Sequence, residues 1–335
     1  MSPITFLILV AGLVLLVIGA EFLVKGSSRL AAMLRIPPLI IGLTVVAYGT
    51  SAPEMSVSVM SALSADGADI AIGNVVGSNI CNVLLILGLS ALIAPLGVTK
   101  QMIRSDVPIM IGVSFLLLLF SLDGQLSKVD SIILFIGGVT YTLSLIYQSS
   151  KQSVEHDKFT EEYSLSEPVT LIAWVKNGVY IIGGLVLLVL GSRWLVASAI
   201  TIAEYFQVSK LIVGLTIVAV GTSLPELFTS VIASYRGETE IAVGNVLGSN
   251  IFNILAVLGV SGIVAPNGIN VSPTVISFDI LVMIAVAFAC PPIFYSGKRI
   301  ERWEGILFLF YYVAYTAYLI LDSVDHPALP VFVNI

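Results

Sequence analysis

Residues 12–54 of this chain align with residues 184–226 without a gap, and 22 of the 43 positions are identical. Residues 70–95 then align with 241–266, with 16 of 26 identical, after one residue is lost in the loop between the blocks (ADGAD against RGETE). Low-complexity apolar runs align Leu with Val by chance. They do not place GLT, GTS-x-PE, GN-x-x-GSNI-x-N and a closing Pro in the same order twice. The chain is a duplication, and any fold for it must contain two equivalent units.

The solvent of those units follows from composition. Of 335 residues, 57% are hydrophobic and 11% charged, against about 25% charged in soluble domains. Such a chain cannot cover its surface in water, so its partner is a lipid bilayer. That excludes a cytosolic enzyme, a nucleic-acid binder and a disordered protein. Cys81 and Cys290 lie in apolar runs and define no disulfide framework. The first apolar run reads as a full span, with no A-x-A-like cleavage site after it.

A membrane helix takes about 20 mostly apolar residues. Read between charges and turn signals, the sequence predicts an all-α integral membrane protein of ten spans: 3–24, 39–64, 70–94, 106–122, 129–149, 171–195, 211–235, 241–265, 275–296 and 303–322. The first repeat is 1–150, with its motif at 39–95; the second is 171–335, with its motif at 211–266. Residues 151–170 form a short charged linker. Five spans per half is odd, so the second half enters the membrane from the opposite side. Duplication with odd parity predicts two inverted-topology repeats, a transporter architecture with its site where the repeats meet. Twelve of the fifteen basic residues fall on the side of the loops after spans 1, 3, 5, 7 and 9; Lys128, Arg193 and Lys210 fall on the other. The positive-inside rule then predicts a cytoplasmic 150–170 loop and both termini outside.

Most acids, including Glu21, Asp106, Asp123, Asp130, Asp279 and Asp322, read as interfacial. Glu54 and Glu226 do not. Each is the sixteenth residue of its span, at the same place in its repeat. A charge at mid-bilayer costs about 2.5–3.5 kcal/mol on insertion scales, so two at related depths need compensation. Their neighbours supply it. Gly49-Thr50-Ser51-Ala52-Pro53-Glu54 and Gly221-Thr222-Ser223-Leu224-Pro225-Glu226 each set Pro before Glu. Pro53 and Pro225 free the carbonyls four residues back, on Gly49 and Gly221, and glycine there lets the helix unwind. A broken helix bearing carboxylate, hydroxyl and carbonyl oxygens is predicted, the donor set of hard cations. Cys81 is replaced by Phe252 in the second copy and no His joins the motif, which disfavours softer metals.

The second motif runs from Gly73 to Asn82 and again from Gly244 to Asn253. Ser78 and Asn82 share a helix face, as do Ser249 and Asn253. Gly73, Gly77, Gly244 and Gly248 also form G-x-x-x-G, which is a packing seam in its own right. Two glutamates are balanced by one calcium ion or by two sodium ions. If the two ion sets compete for overlapping sites that open alternately to each side, the result is antiport.

At these residues the chain resembles the calcium/cation antiporter superfamily, and within it the prokaryotic sodium/calcium exchangers. The paired GTSAPE and GTSLPE, with GNVVGSNICN and GNVLGSNIFN, carry the resemblance. It implies ten helices, a central cluster of ion sites from spans 2, 3, 7 and 8, and long tilted spans 1 and 6 that slide against that core. It implies that Glu54 and Glu226 serve both ions, and that Thr50, Ser51, Thr222 and Ser223 give hydroxyl or carbonyl oxygen. Ser78 and Ser249 would ligate sodium, Ala47 and Ala219 would offer backbone carbonyls, and Asn82 and Asn253 would complete the set. The transported ions are the expected partners, in a prokaryotic plasma membrane, with no cofactor, no enzymatic activity and no obligatory protein partner. Potassium-dependent members typically carry Asp where Asn253 stands, and proton/calcium exchangers place an acid soon after a GN motif; both are alternatives that these residues disfavour. An ion channel would use two deep acids without broken helices or an inverted repeat. An intramembrane enzyme would need catalytic partners at depth, and His156 and His326 read as loop and tail.

Overall fold

The computed structural model describes residues 3–63, 68–152, 170–206 and 219–325. The linker from 153 to 169, Lys158, Lys210, positions 211–218 of the seventh predicted span and the tail from 326, with His326, lie outside the described residues.

Among the described residues the chain is helical apart from two ladders of two-residue strands. Eight helices are long and apolar enough to cross a bilayer: Pro3–Leu34, Ile70–Ile93, Met102–Ser121, Lys128–Gln148, Leu171–Tyr205, Thr239–Val264, Val275–Tyr295 and Arg302–Asp322. The remaining two predicted spans hold the GTS-x-PE motifs and are not continuous helices. Large apolar side chains such as Ile4, Leu7, Ile136 and Phe310 stand exposed on the outer helices, a surface that lipid, not water, must cover. The protein is an integral membrane protein.

Two helices form the centre. In their most apolar stretches, 83% of Thr239–Val264 and 72% of Ile70–Ile93 is buried, against 33% or less in the other six. These two carry the GN-x-x-GSNI-x-N motifs, one from each half. Gly244 and Gly248 are the packing seam that their spacing predicts. A Cβ on Gly248 would lie 2.7 Å from the Leu43 carbonyl oxygen, and one on Gly244 would lie 2.9 Å from that of Leu39.

Pro3–Leu34 and Leu171–Tyr205 run well beyond the predicted 3–24 and 171–195. At 32 and 35 residues and about 1.5 Å per residue, each exceeds the roughly 30 Å hydrocarbon core and must tilt or overrun it. Glu21, Lys25 and Arg29 ended the first apolar run in the sequence, but a charge ends hydrophobicity and not helix. The two helices pack antiparallel, with Gly12, Gly19 and Gly26 meeting Gly191, Gly184 and Ile181 in reverse order. Spacing of seven keeps the three glycines on one face.

Short ladders tie the loops together. Leu96–Gly97 pairs antiparallel with Arg299–Ile300, and Gln125–Leu126 pairs antiparallel with Ile269–Asn270. Gly124 (φ +84°) and Gly297 (φ +76°) make the turns beside related strands. The fourth span begins at Met102, not at 106, with a π-helical turn Met102–Asp106. That turn draws Asp106 into the protein, where it is fully buried near Tyr141. Asp279 takes the related place and accepts from the Tyr315 hydroxyl at 3.0 Å.

Candidate cation site

Both GTS-x-PE segments break at the serine. The helix Ala47–Thr50 stops at Ser51 (φ −81°, ψ 10°) and resumes as Ala52–Leu63. Ala219–Gly221 is followed, after Thr222, by a break at Ser223 (φ −86°, ψ 6°), and the helix resumes as Leu224–Tyr235. Pro53 and Pro225 sit in the first turn of the resumed helix, where a missing N–H costs nothing. They start the second half-helix rather than kink one continuous helix. Regular bonding restarts at once, with Met55 N donating to Ser51 O at 3.0 Å and Leu227 N to Ser223 O at 2.9 Å. Glu54 and Glu226 therefore lie in the first turns of 12-residue helices, whose amide dipoles favour negative charge.

The glycines before the breaks are places of close approach. A Cβ on Gly49 would meet the Leu185 side chain at 2.6 Å, and one on Gly221 would meet Val196 at 2.7 Å. Both neighbours lie on Leu171–Tyr205. Of the two carbonyls that the prolines release, that of Gly221 accepts the Ser192 hydroxyl at 2.7 Å. The residue related to Ser192 in the first half is Ala20, which has no donor.

Each break serine reaches the glutamate of the other half. Ser51 Oγ donates to Glu226 Oε1 at 2.8 Å and lies 3.1 Å from Ser249 Oγ. Ser223 Oγ donates to Glu54 Oε1 at 3.2 Å and lies 3.2 Å from Ser78 Oγ. Glu54, Ser51, Ser223 and Asn253 are fully buried, and Glu226, Ser78 and Asn82 nearly so. At this site four buried oxygens have no protein partner: Glu54 Oε2, Glu226 Oε2, Asn82 Oδ1 and Asn253 Oδ1. They are two matched pairs, one member from each half. An isolated buried carboxylate is strongly unfavourable, and an acceptor-only set of this kind is complemented by a cation. Hydroxyls at hand from four serines make the environment that hard ions take, oxygen without nitrogen or sulfur.

Thr50 Oγ1 lies 3.1 Å from Asn245 Oδ1, and Thr222 Oγ1 lies 3.4 Å from Asn74 Oδ1. The Ala47 carbonyl accepts Ser51 N–H at 3.0 Å and lies 3.4 Å from the Thr50 hydroxyl. Ala219, the first described residue of its segment, lies in the helical turn Ala219–Gly221. The two halves are not equally covered: Thr50 and Asn245 are fully buried, whereas Thr222 and Asn74 are half-buried.

Sequence reasoning did not assign Asn74 and Asn245 a role. Asn74 Nδ2 donates to Glu54 O at 3.3 Å and Ser58 Oγ at 2.9 Å; Asn245 Nδ2 donates to Glu226 O at 3.3 Å and Ser230 Oγ at 3.0 Å. These amides clamp each resumed half-helix to the neighbouring central helix. The signal was present, since both asparagines recur in the duplicated GN, but their partners lie on another helix.

The family described as sodium/calcium exchanger protein matches residues 4–149 and 176–321. The sodium/calcium exchanger MaX1 of Methanosarcina acetivorans is 33% identical, covering 95% of this chain and 99% of its own length. CaxA of Alkalimonas amylolytica is 42% identical, over 93% of this chain and 97% of its own. The solved structure of the sodium–calcium exchanger NCX_Mj, soaked without sodium and calcium, superposes with a TM-score of 0.81 at 30% identity, covering 95% of this chain and all of that one.

Proposed function

We propose that this chain, which belongs to the sodium/calcium exchanger protein family, exchanges sodium for calcium by alternating access at the site between its halves. The observation that carries the reading is the crossed pairing of Ser51 with Glu226 and Ser223 with Glu54. It joins the carboxylates of both repeats through the two helix breaks, so a cation bound there touches both halves and feels their relative movement. Calcium would take Glu54 and Glu226 with oxygen from Thr50, Thr222, Ala47 and Ala219. Sodium would share the carboxylates and use Ser51, Ser78, Ser223 and Ser249, and the amide oxygens of Asn82 and Asn253 would serve either ion. The site charge of −2 matches one calcium or two sodium ions, and a further sodium would rest on neutral oxygen.

The architecture we propose is ten helices in two inverted repeats, 1–150 and 171–335. Support comes from the loop ladders: the loops after the third and ninth spans pair with each other, and those after the fourth and eighth do so too. Loops of equal parity thus meet, as a ten-span topology requires. The glycine seam between Pro3–Leu34 and Leu171–Tyr205 supports a pair of long helices that slides as one body against the core. The unequal cover of Thr50 and Thr222 supports a site that opens to one side at a time. The loop charges favour a cytoplasmic 151–170 linker and external termini in a prokaryotic plasma membrane.

The test is equilibrium binding to the purified protein. Calcium should bind and be displaced by sodium, and choline at equal ionic strength should not displace it. Calcium binding that sodium leaves unchanged contradicts a shared site.

A further inference from the structure

The two central helices meet through four amides, Asn79, Asn82, Asn250 and Asn253, of which Asn79 and Asn250 are no part of the proposed ligand set. Asn79 Nδ2 donates to the backbone carbonyl of Asn250 at 3.1 Å, and Asn250 Nδ2 donates to that of Asn79 at 3.4 Å. A carbonyl oxygen only accepts, so the NH2 end of each amide must face it. The second N–H of each meets a thioether, Met283 for Asn79 and Met110 for Asn250, at 3.7 Å and 3.5 Å. Both amide oxygens are thereby turned the other way. Asn250 Oδ1 accepts from Asn82 Nδ2 at 2.9 Å, and Asn79 Oδ1 accepts from Asn253 Nδ2 at 3.1 Å. This in turn fixes Asn82 and Asn253. Their NH2 ends are occupied, and their oxygens are left buried without a protein partner.

We infer that Asn79 and Asn250 are positioning residues that lock Asn253 and Asn82, respectively, with oxygen rather than NH2 toward the cation. An asparagine side chain is nearly symmetric in shape, and rotating it by half a turn would present two N–H donors to a positive ion. The direction of the backbone carbonyls sets the polarity of all four amides, and no electrostatic help from the ion is needed before it arrives. The lock is crossed between the halves: the residue that orients Asn82 lies on the other repeat. Changes to such orienting groups typically weaken metal binding about 10–100-fold.

The inference rests on the cation-site reading, and one experiment separates their failures. Calcium binding is measured by calorimetry on the full chain for N79A, N250A, N82A, N253A and the four mixed doubles. N250A is expected to raise the calcium Kd about tenfold or more. In the N82A background, N250A should add almost nothing, because the group it orients is gone. N250A with N253A should multiply, although these residues are only three apart. N79A should mirror this pattern, silent on N253A and multiplicative with N82A. A structural role would weaken all pairings alike and would not produce the crossed pattern. Where an alanine variant does not elute as a monodisperse species, N79S or N250S replaces it, since the hydroxyl keeps a donor in the buried interface. Calcium binding by the wild type with multiplicative effects in every pair, or less than a twofold change in N250A, overturns the lock. A wild type that binds no calcium overturns the cation-site reading.

Discussion

Adjacent glycines on one helix should respond to the same substitution with opposite signs. Gly184 and Gly183 both lie within Leu171–Tyr205. A Cβ on Gly184 would lie 2.7 Å from both Gly19 O and Leu23 N, whereas one on Gly183 would meet nothing within 4 Å. Ordinary contact begins at 3.4 Å, so Gly184→Ala must push the two long helices apart by about 0.7 Å (3.4 − 2.7) at that point. A gap of that size forfeits a quarter to a half of the dispersion energy along the contact, and overpacking of this kind costs about 1–3 kcal/mol. Gly183→Ala meets no such obstacle and gains about 0.5–1 kcal/mol from helix propensity. Thermal unfolding of the detergent-purified protein should show Gly184→Ala melting lower than wild type and Gly183→Ala at or above it. Gly19→Ala should resemble Gly184→Ala. The double variant should cost less than the sum, because the first alanine opens the gap that the second needs. Equal shifts for Gly183→Ala and Gly184→Ala would refute backbone contact between these helices, and with it the argument that they move as one body.

Other consequences concern the site. Glu54→Gln and Glu226→Gln should each abolish calcium flux in proteoliposomes while the protein still inserts and purifies; near-normal flux in either removes that residue from the calcium site. Ser51→Ala deprives Glu226 of its 2.8 Å hydroxyl donor. A hydrogen bond to a charged group is worth about 1.5–3 kcal/mol, so the apparent affinity for cations should change by about tenfold or more, and Ser223→Ala should match it through Glu54. An unchanged titration in both would show that the crossed serines do not serve the site. Ser192→Ala leaves the buried Gly221 carbonyl without its side-chain donor, at a cost of about 1–3 kcal/mol, read as a lower melting temperature; an unchanged melting temperature would show that this bond does not hold the break. Asn253→Asp should alter monovalent-ion dependence more than melting temperature, and an unchanged ion preference counts against that position.

The duplication and the deep carboxylates were legible because both are local patterns repeated at fixed offset. Glu54 and Glu226 stand out against apolar runs, and the Gly and Pro around them announce a broken helix. What could not be read is set by partners far along the chain. Ser51 meets Glu226 across 175 positions, and Asn82 meets Asn250 across 168, so neither spacing nor periodicity encodes them. The position of the break was also displaced: proline marks it, but Ser51 and Ser223 carry the non-helical ψ. The long helices were cut short because hydropathy ends at Glu21 and Lys25 while the glycine seam continues to Gly26. The burial of Asp106 was not legible either, because it depends on Tyr141, 35 positions along the chain.

The central claim is that movement of calcium is coupled to sodium at one shared site. The direct measurement is radioactive calcium uptake into proteoliposomes under separately imposed gradients of sodium, potassium and protons. The account predicts uptake that follows the outward sodium gradient, collapses when that gradient is dissipated, and is absent with Glu54→Gln. Uptake that ignores sodium and follows the proton gradient would contradict it.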